Sequence, residues 1–269
     1  MFPSKGPGHG RMQPLAASAT GTSEANELRG CLDASNGDCA AFDTPRSELT
    51  VQIEAAFLKL PTVARILHGA RRIHQGGRGR RTALFPSRKC GGIVPLESQL
   101  ELAYAVVLER SPWVNAYRTQ AIRITLPGGR FAHPDFLIRT MAGTYEVHEV
   151  KPSTENLSAD DIERFNTMRV MLAEVSVGFG VIDARHLPGT HTLNDLLRRY
   201  SRGHLQRYTA NEIDHARSIL ISSGTTTLHQ AYLLLQRNRL SAHLADYLHF
   251  HQLWSADLDP DMQSLQGAA

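Results

Sequence analysis

Cysteine is scarce in this sequence, and long apolar runs are lacking. Its 269 residues include three cysteines, Cys31, Cys39 and Cys90, which form no Cys-x-x-Cys pair. Neither a zinc ribbon nor a disulfide framework is therefore indicated. No apolar run approaches the length that spans a bilayer, and the N-terminus lacks the apolar core of a signal peptide. These absences favour a soluble cytoplasmic protein that has no membrane partner.

A large excess of one charge is also lacking. The chain has 29 basic and 26 acidic residues, which gives a net charge of +3. This balance permits nucleic-acid binding without requiring it, so local clusters of charge have to decide. With 42% hydrophobic residues, a chain of this length can bury one large core or two smaller ones, and its length favours two.

The most informative stretch is FAHPDFLIRTMAGTYEVHEVKP. It predicts strands at 135–139 and 144–151, joined by a turn in which Gly143 takes a positive φ. Because side chains alternate along a strand, Glu149 and Lys151 point to the same side. Pairing through the turn brings Asp135 beside them. Two carboxylates and a lysine in one small space favour a divalent cation, and Mg²⁺ prefers such oxygen ligands, with the Val150 carbonyl as another.

Pro134-Asp135 and Glu149-Val150-Lys151 resemble the PD-(D/E)xK nuclease motif. A surface hairpin with a same-face ion pair is the alternative that this motif alone leaves open. Upstream, the chain carries ES-x-LE at 97–101 and R-x-Q at 118–120. The four motifs, in this order, resemble the N-terminal domain of TnsA, the endonuclease subunit of certain cut-and-paste transposons. The resemblance covers roughly Arg71 to Asp183.

This resemblance implies roles for particular residues. In ES-x-LE the second glutamate matches a catalytic acid of the family, so Glu101, rather than the helix-start residue Glu97, is expected to join Asp135, Glu149 and Lys151. The cofactor would be Mg²⁺, for which Mn²⁺ can substitute. Gln120, at the R-x-Q position, is a possible support of the site, although a glutamine at a strand end is more often structural.

A basic segment precedes these motifs. ARRIHQGGRGRR is glycine-rich and is followed shortly by two further cations. Glycine allows close backbone approach, and arginine binds phosphate, so we expect DNA backbone contacts here; a solvated loop is the alternative. The expected DNA-binding residues are Arg78, Arg80, Arg81, Arg88 and Lys89.

The expected fold class is α/β, with a restriction-endonuclease-like PD-(D/E)xK core and a helical, winged-helix-like C-terminal domain. Residues 1–43 are rich in small and polar residues and predict a disordered tail. Residues 44–186 would form the endonuclease domain, beginning with helices from Thr44 and after Pro61. Residues 187–269 would form the second domain, which resembles that of TnsA less specifically. Its expected helices are 193–200, 211–222, 227–236 and 241–251, and 254–258 would be a short strand or wing.

Within the core, the pattern predicts a helix, a run of strands, a second helix and a final strand. The first helix spans 95–110, the strands 114–120 and 121–126 precede the motif hairpin, and Ser158 begins a helix that leads into a strand at 177–182.

The expected function is a metal-dependent DNA endonuclease. By resemblance, it cuts the non-transferred strand at transposon ends in bacterial cytoplasm, on DNA of the nucleoid. A DDE transposase subunit would cut the other strand, and an AAA+ ATPase regulator would contact the C-terminal domain. Two alternatives stay open: a stand-alone restriction or repair nuclease of the same fold, and a DNA-binding adaptor that has lost catalysis.

Overall fold

The computed structural model describes residues 44–58, 60, 67–68, 71–72 and 83–256. Within these ranges the helices are α1 (Thr44–Leu58), α2 (Gln99–Arg110), α3 (Ala159–Ala173), α4 (Thr190–Gly203), α5 (Ala210–Ser222), α6 (Leu228–Arg237) and α7 (His243–Phe250). The strands there are β1 (Leu67–His68), β2 (Arg71–Arg72), β3 (Ala83–Ser87), β4 (Gly92–Leu96), β5 (Val114–Thr119), β6 (Ile124–Thr125), β7 (Phe131–Ala132), β8 (Phe136–Thr140), β9 (Tyr145–Lys151) and β10 (Val177–Asp183). The protein is of mixed α/β class, as predicted. The predicted tail at 1–43 lies outside the described residues.

Four strands form the main sheet, in the order β10-β9-β8-β5. β8 is antiparallel to both of its neighbours, whereas β9 and β10 are parallel and are connected through α3. The β8–β9 hairpin turns at Gly143, whose φ of 83° suits a residue without a Cβ. The predicted motif hairpin is thus confirmed, with strand bounds shifted slightly.

Both faces of the sheet are covered by helices. Ile138 and Val150 belong to a buried cluster with α2, and Leu137 and Val147 belong to another with α3. This division follows from the alternation of side chains along β8 and β9. The helix α3 begins as predicted, because the Ser158 side chain accepts a hydrogen bond from the Asp161 backbone N–H at 3.1 Å. The site therefore lies at strand ends that are held between two helices.

The predicted C-terminal helices are confirmed as α4 to α7, with bounds that differ by a few residues. α5, α6 and α7 enclose a cluster of their own, whereas Leu193 and Leu196 of α4 pack in the same cluster as α2. The Tyr200 hydroxyl also donates to the Pro86 carbonyl at 2.8 Å. The division into separate domains after residue 186 stays a prediction.

Four local predictions were wrong. Leu67–His68 and Arg71–Arg72 pair as strands where a helix after Pro61 was expected, and the helix-disfavouring Gly69 stands between them. Of 121–126, only Ile124–Thr125 is a strand, and it pairs with β7 outside the main sheet. The chain leaves the line of β5 at Gln120, whose φ is 46°. This turn of the backbone explains why 121–126 does not add a strand to the main sheet.

The other two errors concern helix and strand ends. α2 begins after Ser98, so Glu97 precedes the helix, and Pro95 lies in the unpredicted β3–β4 hairpin. The Ser98 side chain accepts from the Glu101 N–H and fixes that start. Trp254–Ala256 contains no strand, and the rest of the predicted wing lies outside the described residues.

The contact between α4 and α7 predicts a destabilising substitution. A Cβ on Gly203 would lie 2.7 Å from the Tyr247 nitrogen and 2.8 Å from its Cα. Alanine normally stabilises a helix relative to glycine by about 1 kcal/mol. We expect the opposite sign here, a loss of about 1–3 kcal/mol for Gly203→Ala, because the backbone of α7 has to move. Chemical denaturation measures it.

Ser201→Ala is the matched control, because Ser201 is exposed on the last turn of the same helix. It should change the unfolding free energy by no more than about 0.5 kcal/mol. Equal stability of the Gly203→Ala and wild-type proteins would contradict the close approach of α4 and α7.

Within the described residues, no helix combines the length and the apolar character needed to cross a membrane.

Candidate active site

The candidate site lies where β8 begins and β9 ends. Phe136 pairs with His148, so Asp135, the preceding residue, comes opposite the end of β9. The Val150 backbone N–H donates to Asp135 Oδ2 at 2.8 Å. The Pro-Asp and Glu-x-Lys motifs therefore come together as the hairpin prediction required.

Glu149 and Lys151 lie on the same side of β9. Lys151 Nζ is 3.8 Å from Glu149 Oε2, and the side chains are 25% and 5% exposed, respectively. That separation is longer than a hydrogen bond, so the two charges attract without a fixed contact. The Lys151 ammonium is also 5.5 Å from the centre of the Phe165 ring. The ammonium thus lies near Glu149 without forming a hydrogen bond to it.

Burial dominates the electrostatics of the two motif carboxylates. It raises the pKa of Glu149, and the charge of Asp135 raises that pKa further, against the opposing effects of Lys151 and Arg164. Burial likewise raises the pKa of Asp135, although the Val150 N–H and Lys151 favour its charged form. Replacement of their protons by a metal cation therefore stabilises carboxylates held in this way.

Glu101 lies in the first turn of α2, near enough to Asp135 for the two charges to interact. Its Oε2 accepts from the Glu97 backbone N–H and its Oε1 from the Ser98 hydroxyl, each at 2.9 Å. Burial raises the pKa of Glu101 to about 7, and the charge of Asp135 contributes to the rise. Both oxygens are engaged at the helix start, much as in a capping box. ES-x-LE is therefore also a helix-start sequence.

Gln120 contacts the backbone of the candidate site. Its backbone N–H donates to the Asp135 carbonyl at 3.1 Å, and its side chain is buried. Among the described residues, the side chain oxygen Oε1 has no hydrogen-bond partner. A positive φ and an unsatisfied buried oxygen are both costly and are concentrated at functional sites. The expectation that Gln120 supports the site has this structural basis, and its role stays a prediction.

His148 lies on the same face of the sheet as Val150, towards the core. The register of β9 therefore requires polar partners for the His148 ring. Its Nδ1 shares a hydrogen bond with the Tyr104 hydroxyl, and its Nε2 lies 3.1 Å from Glu146 Oε2. Burial lowers the pKa of His148 to about 4. Both ring nitrogens therefore have a polar neighbour, which is consistent with the register.

Sequence reasoning did not assign Arg164 or Phe165 of α3 to the site. The Arg164 guanidinium lies 4.8 Å from the centre of the Phe165 ring, the same ring that Lys151 approaches. Arg164 Nη2 donates to Asp161 Oδ1 at 2.9 Å. The sequence shows the Asp161–Arg164 spacing typical of a helical ion pair. It contains no sign that this pair lies against β9.

The structure describes only two of the five expected DNA-binding residues. Arg78, Arg80 and Arg81 lie outside the described residues. Lys89 Nζ donates to the Leu108 carbonyl at 2.8 Å, and burial lowers its pKa to about 8. Arg88 donates through its guanidinium to the His204 carbonyl. Lys89 thus lies at the C-terminal end of α2, about 10 Å along the helix from the Glu101 end.

The donor set can be compared with the needs of a metal ion. Among the described residues, no group of three or more His, Cys, Asp or Glu side chains is arranged to hold one. Mg²⁺, however, commonly takes only one or two carboxylates and completes its shell with waters and substrate oxygens. Asp135 and Glu149 fit that preference through hard oxygen donors and raised pKa values. The residues present therefore fit Mg²⁺ better than a metal that requires a preformed cage.

Comparison of the sequence with protein-family models finds no match, and comparison with curated protein sequences finds none either.

Proposed function

We propose that this chain is a Mg²⁺-dependent DNA endonuclease of the TnsA type, with a PD-(D/E)xK core. The observation that carries the proposal is the grouping of Asp135, Glu149 and Lys151 at one end of the β8–β9 hairpin. Glu101 of α2 lies close enough to Asp135 for that charge to contribute to its raised pKa. An ordinary surface hairpin needs neither the burial of two carboxylates nor a third one from a helix.

Asp135 and Glu149 would hold the ion, with the Val150 carbonyl and Glu101 as further oxygen donors. Bound Mg²⁺ would lower the pKa of a water and neutralise charge that develops on the phosphate. Lys151 would orient the attacking water or stabilise the pentavalent transition state through its positive charge. The Val150 N–H fixes the orientation of the Asp135 carboxylate. Glu101 would need to exchange one of its helix-start hydrogen bonds to join the ion.

The C-terminal part belongs to the same proposal. α5, α6 and α7 form a cluster of their own, which supports a helical C-terminal unit. We propose that this unit contacts an AAA+ ATPase regulator, and that a DDE transposase cuts the second strand, in the bacterial cytoplasm. The basic residues Arg78, Arg80 and Arg81 would contact the DNA backbone.

The deciding experiment is strand cleavage of duplex DNA that spans the ends of the element encoding the protein. It is run with the proposed partner, a DDE transposase whose own catalytic acids are replaced, so that any cut comes from this chain. We expect one strand to be cut with Mg²⁺ or Mn²⁺ and neither to be cut with a chelator. Absence of cleavage with an assembled partner, or cleavage that persists in the chelator, would contradict the proposal.

The raised pKa values predict that Mg²⁺ binding depends on pH. The ion needs deprotonated carboxylates, and Glu101 loses its proton only near pH 7. Asp135 and Glu149 are shifted in the same direction. The stabilisation that Mg²⁺ gives should therefore grow as the pH rises from about 6 to about 9. Thermal unfolding across this range, with and without the ion, measures it.

The metal-free protein should respond with the opposite sign. Its folded carboxyls keep protons that the unfolded chain releases above the ordinary glutamate pKa of 4.5. Stability should therefore fall as the pH rises from 4.5 through about 7 and above. Glu149→Gln, which has no proton to lose, should flatten that fall. Stabilisation by Mg²⁺ that does not change with pH would exclude these carboxyls as its ligands.

A further inference from the structure

A second cation stands beside Lys151 at the candidate site. Lys151 Nζ lies 5.5 Å and Arg164 Cζ lies 4.8 Å from the centre of the Phe165 ring. Phe165 is buried between α3 and the sheet, so the ring is a rigid support for both cations. Two cations that share one ring repel each other unless anions lie close by.

The neighbouring anions are the carboxylates of the site. Glu149 lies 3.8 Å from Lys151, and Asp161 lies 2.9 Å from Arg164. The charge of Arg164 also lowers the pKa of both Asp135 and Glu149, against the larger effect of burial. Arg164 therefore lies within electrostatic reach of both motif carboxylates, although it belongs to a different element.

Arg164 has capacity to bind a further anion. Within the described ranges, Asp161 Oδ1 is the one acceptor that it hydrogen-bonds, and it uses only Nη2. A guanidinium has five N–H donors in a planar fork, which suits the two free oxygens of a phosphodiester. The side chain is 31% exposed, so these donors are open to a ligand from solvent. The exposed Asp161 pair contributes at most about 1 kcal/mol and is easily rearranged.

We propose that Arg164 is a phosphate-binding residue of this site, and that Arg164 and Lys151, supported by the Phe165 ring, hold one phosphodiester of a nucleic acid between them. This inference rests on the proposed nuclease function. When a cation neutralises Asp135 and Glu149, these carboxylates no longer offset the charges of Lys151 and Arg164. Both cations can then attract the phosphate. Arg164 positions the substrate, and Lys151 acts at the reacting atoms.

The test measures binding of a short DNA duplex by fluorescence anisotropy at several salt concentrations. Ca²⁺ replaces Mg²⁺, because it accepts the same oxygen ligands in a looser geometry that is less suited to hydrolysis. Arg164→Ala should weaken binding by about tenfold and reduce the slope of log affinity against log salt by about one. Arg164→Lys should restore the salt slope but only part of the affinity, since it lacks the fork.

Arg169→Ala is the matched control. It removes the same charge from an exposed position of α3, where Arg169 bonds Asn166 and approaches Phe179 instead. A duplex series in which one phosphate at a time is a neutral methylphosphonate then locates the contact. The Arg164→Ala penalty should disappear at one position in the series, whereas any Arg169→Ala penalty should not.

Three results would overturn the inference: unchanged affinity of Arg164→Ala, equal losses for Arg164→Ala and Arg169→Ala, or a penalty that no single methylphosphonate removes. Cleavage by the wild-type protein is scored separately. Cleavage without an Arg164 effect on binding would reject the role of Arg164 and leave the nuclease in place. An Arg164 effect without cleavage would reject the nuclease and retain a phosphate-binding site.

Discussion

Asp135→Ala is expected to abolish Mg²⁺-dependent strand cleavage while the metal-free protein remains folded. Without this carboxylate, the proposed ion loses one of two principal ligands, and the phosphate meets the negative charge of Glu149. We expect a loss on the order of a thousandfold or more. The stabilisation that Mg²⁺ gives to thermal unfolding should also decrease.

Asp135→Asn tests the charge of Asp135 separately from its hydrogen bond in the fold. Asp135 Oδ2 accepts from the Val150 N–H, and alanine would leave that donor unsatisfied at a cost of about 1–3 kcal/mol. An asparagine oxygen can still accept it. Loss of the charge next to Glu149 relieves repulsion, so the metal-free Asn variant should be as stable as wild type or slightly more stable.

Asp160→Asn is the control for Asp135→Asn. Asp160 is an exposed carboxylate in the first turn of α3, and its replacement makes the same chemical change outside the cluster. It should leave cleavage intact. Full cleavage by Asp135→Asn, with the transposase disabled, would show that FAHPDF and HEVKP form an ordinary hairpin and not an active site.

The fold was predictable where local pattern and local geometry coincide. The β8–β9 hairpin follows from alternation around a glycine turn, and the start of α3 follows from the spacing of Ser158 and Asp161. The β3–β4 hairpin was missed because Pro86 and Pro95 disfavour strands, whereas here they lie in a two-stranded pair. Propensity is a weak guide where pairing in the fold overrides it.

The candidate site was predictable only in part, for a related reason. Asp135, Glu149 and Lys151 belong to one hairpin, so their proximity follows from register. Arg164 joins them because α3 packs Phe165 against the sheet, and the sequence does not show which residues of α3 come to lie beside Lys151. The positive φ of Gln120 could not be predicted from the sequence either, because glutamine does not favour a positive φ.

Lys151→Met is expected to abolish cleavage by a route different from that of Asp135→Asn. Methionine keeps an apolar stem of similar length near Phe165 but removes the ammonium, which lies 3.8 Å from Glu149. Lysine is not a ligand of Mg²⁺, so the stabilisation given by the ion should persist and can increase, since one repelling charge is gone. Cleavage should fall by about 10²–10⁴-fold, the range for a group that acts in the transition state.

The pair of variants forms a diagnostic contrast in one assay with the disabled transposase. Asp135→Asn should lose both cleavage and the Mg²⁺ response, whereas Lys151→Met should lose cleavage alone. The Lys151→Met protein should remain folded, because the ion pair with Glu149 is too long to be a strong hydrogen bond. Loss of the Mg²⁺ response in Lys151→Met would mean that the lysine holds the carboxylates in place for the ion. Cleavage at the wild-type rate would mean that Lys151 only balances the charge of Glu149, and the proposed chemistry would then need another cation.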